Sequence, residues 1–192
     1  MGKTKFLVVV DVQNDFTNGV LGSTEARNAI PEIVNKICNF DGNAIFVTYD
    51  THAENYMVTR EGRNLPVEHC VKGTHGWEIF HSVQDALDVA KAKGINVITV
   101  EKPTFGSYDL ITEIDYYVKS ERRNGADTQF DIEFVGFCTD ICVVSNVLLT
   151  KAKFYEDANI TVDASCCAGV TPLKHEAALD TMRSCQVNVV ND

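Results

Sequence analysis

"FDIEFVGFCTDICVV", Phe130 to Val144, starts as a β-branched apolar run and ends at the first residues of a helical stripe. That stripe continues through Val147, Leu148 and Ala152, so a strand runs almost directly into a helix. The same alternation recurs along the chain. Five further runs read as strands: "KFLVVVD" ending at Val10 and Asp11, "NAIFVTYD", "INVITVEK", "NITVDAS" and "QVNVVND". Between them Ile30, Val34, Ile37 and Cys38 share one helical face, as do Val83, Ala86, Leu87 and Ala90. Leu110, Ile114, Tyr117 and Val118 make a third face, and Leu173, Ala177 and Met182 a looser last one. Strands that alternate with helices need crossover connections, which predicts a parallel sheet with helices on both sides.

The 192 residues, 45% of them hydrophobic, suffice for one domain over 1–192. A net charge of −10 opposes attraction to nucleic acid phosphates or anionic lipid, and leaves a small neutral or cationic ligand as the better partner. The opening "MGKTKFLVVVDVQNDF" meets Asp11 after five apolar residues, too few for a secretory or membrane segment, so a soluble, cytoplasmic protein is expected. Seven cysteines, an odd number, do not read as a disulfide framework. Each is apolar filling unless its setting lowers the thiol pKa.

Two stretches break the rhythm. Asp50 to Trp77 has little apolar periodicity but several histidines, which favours a functional loop. Lys119 to Thr128, "KSERRNGADT", reads as a solvated helix end and surface turn.

Polar residues interrupt the strand ends. Asp11 closes the first, Asp50 and His52 follow the second, Lys102 the third, and the cysteine stretch the fourth. In an open α/β sheet the ligand crevice lies outside the carboxyl ends of the strands, so these side chains can converge. Cys142 is expected in a first helical turn, where free N–H groups, the helix dipole and a nearby Lys102 would lower its pKa. Thr139 or Asp140 would cap that helix. A thiolate with a carboxylate and an ammonium is equipment for acyl transfer, although half-buried Cys, Asp and Lys at strand ends are also ordinary structural features.

Taken together, "VVVDVQNDF", "EKPTFGS", "GFCTDICV" and "DASCCAGVTPLKHEAAL" resemble the isochorismatase-like cysteine hydrolases, and within them the nicotinamidases. The resemblance spans nearly the whole chain. It implies a three-layer αβα sandwich around a mostly parallel six-stranded sheet and an Asp11–Lys102–Cys142 triad. It also implies a cis peptide before Cys138 and an oxyanion hole made by the backbone N–H groups of Cys138 and Cys142. The named isochorismatases lack the cysteine, so Cys142 points to an amidase. Phe16 would stack on an aromatic substrate.

Nicotinamidases add a divalent metal, which implies one Zn, Fe or Mn ion held here by Asp50, His52, Glu61 and His69, with Glu54 as the alternative to Glu61. The family's usual third histidine is missing, and Pro66 stands where a tryptophan often precedes the last ligand. The family often forms homo-oligomers. His75, His81 and His175 read as surface or capping groups. Cys166 and Cys167 either line the pocket or fill the core, and Cys38, Cys70 and Cys185 are filler.

The expected activity is hydrolysis of nicotinamide to nicotinate and ammonia through a Cys142 thioester. A metal-independent relative cleaving an N-carbamoyl or ureido amide would keep Cys142 and leave the Asp50 cluster without a role. A thiol redox or binding module would use Cys138 and Cys142 as a pair, although their spacing is not C-x-x-C and Asp11 and Lys102 would have no part in it.

Overall fold

The computed structural model describes residues 3–127 and 129–192. Six strands form one sheet: β1 (Thr4–Val10), β2 (Ala44–Asp50), β3 (Asn96–Lys102), β4 (Phe130–Phe137), β5 (Ala158–Ala168) and β6 (Asn188–Val190). Their order is β3-β2-β1-β4-β5-β6, and every neighbouring pair is parallel. All six expected strands are present. The longer helices are α2 (Thr24–Cys38), α4 (His81–Ala92), α5 (Tyr108–Arg123), α6 (Val144–Phe154) and α7 (Pro172–Ser184); α1 (Asn14–Thr17) and α3 (Arg60–Asn64) are short.

Alternation along β1 divides the core. Phe6, Val8 and Val10 pack with Leu110 and Ile114 of α5, Val147 of α6 and Leu179 of α7. Leu7 and Val9 pack on the other face with Ile30 and Ile33 of α2 and Val83 and Leu87 of α4. Period-two strands covered by period-3.6 helices on both faces give the expected αβα sandwich. The last helix is rotated from its expected stripe. Leu173 is 81% exposed, whereas Ala178, Leu179 and Met182 are buried. Leu173 occupies the first turn, where residues 171–174 are all exposed, so its apolar character does not mark the packed face.

The segment after β2 is more ordered than its lack of periodicity suggested. A 3₁₀ turn (Tyr56–Val58), α3 and a second 3₁₀ turn (His75–Trp77) break it up, and Thr59 caps α3 by accepting from the Gly62 N–H. Of the expected surface stretch 119–128, α5 supplies the residues through Arg123, and Thr128 lies outside the described residues. No helix among the described residues is long and apolar enough to cross a membrane.

The strand order reverses between β1 and β4, the two central strands, each linked outward in opposite directions. Crevices at such switch points are where open α/β sheets bind ligands. Gly136 brings these strands unusually close. Its φ is +118°, and a Cβ there would lie 2.1 Å from the Val10 carbonyl oxygen, so only glycine fits.

Candidate active site

Asp11 follows β1 with φ 49°, a left-handed conformation that Asp tolerates better than most residues. Its N–H donates to Thr48, and the Thr48 hydroxyl donates back to Asp11 Oδ1 at 2.6 Å. Asp11 is thereby aimed across the strand end. Lys102, the last residue of β3, reaches over β2 so that Nζ lies 2.6 Å from Asp11 Oδ2, 3.6 Å from Cys142 Sγ and 3.9 Å from Asp50 Oδ1. The expected trio is therefore brought together from three strand ends, and Asp11, Lys102 and Cys142 are all buried.

Burial pushes the Asp11 carboxyl above its ordinary range, opposed by Lys102 and reinforced by Asp50. Burial works against the Lys102 ammonium too, but the negative charge of Asp11 and its neighbours holds its pKa above that of ordinary lysine. Lys102 is charged.

Cys142 departs from expectation. Its thiol is raised well above the ordinary cysteine value, first by burial and then by the Asp11 charge, against which Lys102 pulls the other way. Desolvation outweighs the helix terminus here. The local helix differs as well. Thr139–Val143 is a π-helical turn that precedes α6, and the Cys138 carbonyl accepts from the N–H groups of Ile141 and Val143. Neither Thr139 nor Asp140 caps it. Asp140 instead accepts from the Val170 N–H, and Thr139 pairs with His175. The peptide between Phe137 and Cys138 is cis, as the resemblance implied. Burial and Asp140 push the Cys138 thiol up to about 12, so both thiols are raised, and it is Cys142 whose sulfur lies against Lys102 Nζ.

Beside this trio, imidazoles and carboxylates converge. His52 Nε2 lies 3.0 Å and His69 Nε2 3.4 Å from Asp50 Oδ2, and Glu61 Oε1 is 3.7 and 3.8 Å from the same two nitrogens. His69 Nδ1 donates to the Val67 carbonyl, which leaves the Nε2 lone pair facing the cluster. Ligand atoms of Asp50, His52 and His69 all lie within 4.8 Å of one another. Two imidazoles and two carboxylates suit Zn, Fe or Mn. Glu54 is exposed, whereas Glu61 Oε1 approaches both histidines. Burial would raise Asp50, but its contacts with His52 and His69 and the Lys102 charge hold it well below the ordinary carboxylate range.

Cys142 and the histidine cluster open onto one cavity of about 1030 Å³, lined by Asp50, His52, Glu61, His69, Cys138 and Cys142, with Phe16 and Ile141 among its apolar walls, while Asp11 and Lys102 lie buried behind it. The Phe16 ring meets His69 edge-on at 5.6 Å. Trp77 is not at this wall; its indole N–H donates to Thr51. Cys166 and Cys167 are buried in the core on opposite sheet faces and do not line the cavity. His75 and His81 are exposed, whereas His175 is half-buried and bonded to Thr139, so only the first two fit the surface reading.

Three supporting residues escape a reading by sequence. Gln13 accepts from the Asp50 N–H and donates to the carbonyls of Asp50 and Trp77, pinning the end of β2. Thr48 orients Asp11, and Tyr56 packs its ring 4.7 Å from His52 and 4.9 Å from His69. Gln13 and Thr48 at least interrupt apolar runs; nothing marks Tyr56.

Residues 5–191 match the model of the isochorismatase domain family. The chain is 28% identical to a nicotinamidase/pyrazinamidase of Mycobacterium tuberculosis over 96% of its length and 97% of that protein. A nicotinamidase/pyrazinamidase structure from Bacillus subtilis superposes with a TM-score of 0.79 at 23% identity, covering 98% and 100% of the two chains. A pyrazinamidase of Pyrococcus horikoshii in complex with zinc superposes at 0.72 with 27% identity, covering 98% and 99%. With a family match over almost all of its length and the same sheet beneath it, the chain belongs to the isochorismatase domain family of hydrolases.

Proposed function

We propose that this protein hydrolyses a small carboxamide, nicotinamide foremost, to the acid and ammonia. The observation that carries the reading is the buried Lys102 side chain, whose Nζ lies between Asp11 and the Cys142 sulfur, with Cys142 at the wall of the cavity that His52 and His69 also line. The curated relatives named for nicotinamidase activity support it.

The neutral Cys142 thiol gives its proton to Asp11 as Sγ attacks the carbonyl carbon. The backbone N–H groups of Cys138 and Cys142 take up the oxyanion, and Lys102 keeps the developing charges paired. Asp11 then returns the proton to the amide nitrogen, ammonia leaves and a thioester remains. Water attacks the thioester while giving a proton to Asp11, which passes it to the departing Cys142 sulfur. Asp50, His52, Glu61 and His69 would hold one divalent ion, which when bound would take the pyridine nitrogen and orient the ring. Phe16 would cover the ring face.

Ammonia release from nicotinamide by the purified protein, beside Cys142→Ala, tests the reading. Release that vanishes in the variant is expected. No release after Zn, Fe and Mn are each supplied would overturn nicotinamide as substrate and direct the search to ureido and N-carbamoyl amides.

A further inference from the structure

We propose that Thr139 and His175 form a positioning pair that holds the turn carrying Cys142. The inference rests on the reading of Cys142 as the nucleophile. The Thr139–Val143 turn is π-helical, with no side-chain cap of its own, so regular helix geometry does not dictate where Sγ or the neighbouring N–H groups point. Its position is set from outside, by residues 169–175 after β5.

Three contacts tie the two segments together. Thr139 Oγ1 and His175 Nδ1 share a hydrogen bond of 2.8 Å, and Asp140 Oδ1 accepts from the Val170 N–H at 2.9 Å. Gly169 lets the chains close up, since a Cβ there would lie 2.9 Å from both Asp140 Oδ1 and the His175 backbone nitrogen. Thr139 is wholly buried, so without His175 its hydroxyl would lose this partner. His175 is itself anchored. Its N–H donates to the Thr171 carbonyl in the first turn of α7, and α7 is rooted in the core by Leu179 and Met182. Burial holds the His175 pKa below that of ordinary histidine. A path thus runs from packed helix to imidazole to hydroxyl to the residue beside Cys138, whose N–H belongs to the proposed oxyanion site.

The test compares Thr139→Val, Thr139→Ser, His175→Ala and the double variant Thr139→Val/His175→Ala, with His81→Ala as an exposed control. Initial rates with nicotinamide give kcat and KM, iodoacetamide labelling of Cys142 followed by mass spectrometry gives thiol presentation, and circular dichroism confirms folding. Thr139→Val and His175→Ala are expected to lower kcat about 10- to 100-fold with KM within about two-fold, the loss characteristic of a misplaced reacting group. Thr139→Ser should retain most of the activity, and the double variant should fall no further than the worse single one. Singles that match the parent in kcat and in labelling rate, or losses that multiply in the double variant, would overturn the pair. If the parent itself releases no ammonia, the substrate reading fails instead, and the labelling rates alone decide this proposal. Should Thr139→Val not fold, half-buried His175→Ala carries the comparison.

Discussion

Lys102 Nζ sits 2.6 Å from Asp11 Oδ2, with side-chain exposures of 1% and 0%. Removing one partner of a buried pair leaves a charge without compensation, at a cost of about 3–5 kcal/mol. Asp11→Ala is therefore expected to lower the urea midpoint strongly. Asp11→Asn, which keeps the shape but cannot shuttle a proton, should lower kcat by about 10²- to 10⁴-fold. An Asp11→Asn enzyme with parental kcat would remove Asp11 from the chemistry.

Because burial and Asp11 raise the Cys142 thiol, its reactivity should not resemble that of a preformed thiolate. Iodoacetamide labelling of Cys142 is expected to accelerate steadily from neutral into alkaline pH. A rate already flat across neutral pH would show that the ammonium of Lys102 prevails over burial.

Glu61, within 3.8 Å of both histidines, should contribute to metal affinity where exposed Glu54 does not. Glu61→Ala is expected to retain less Zn, Fe or Mn after dialysis than the parent, measured by elemental analysis, with Glu54→Ala unchanged. Chelation should lower the parent's Tm, since an ion held only by the folded state stabilises it by about 2.7 kcal/mol at a hundred times its Kd. Equal metal content in both variants would exclude Glu61 as a ligand.

Gly136→Ala combines a strained φ of +118° with a Cβ 2.1 Å from the Val10 carbonyl. A loss of at least about 1–3 kcal/mol is expected from the backbone conformation alone. Activity should fall too, because β4 leads directly into Cys138. A parental denaturation midpoint would contradict the close approach of β1 and β4.

Asp163 supplies an acid-side test away from the cavity. Burial would raise its pKa, but hydrogen bonds from Lys36, at 2.7 Å, and Ser165 bring it below the ordinary 3.8. A depressed folded pKa gives stability that is complete above the unfolded value and disappears as pH falls through the folded one. The parent should thus lose more stability than Asp163→Asn below about pH 4 in denaturation curves taken at several pH values. Parallel curves would show that Asp163 is not favoured as a carboxylate by the fold.

The order of strands and helices was legible because period-two and period-3.6 apolar patterns are local properties of the chain. The strand-end positions of Asp11, Asp50, Lys102 and the cysteine stretch followed from the same pattern, and a parallel sheet sends all carboxyl ends to one edge. Distances, protonation and support were not legible. Whether Cys142 is a thiolate depends on burial by residues from several strands, and that burial reversed the pKa direction expected from a helix start. The approach of Glu61 rather than Glu54 to the histidines depends on the placement of α3, and the partnership of His175 with Thr139 joins residues 36 positions apart. Local patterns set which elements form, whereas desolvation and long-range contacts exist only once those elements pack, and they alone decide what the site can do.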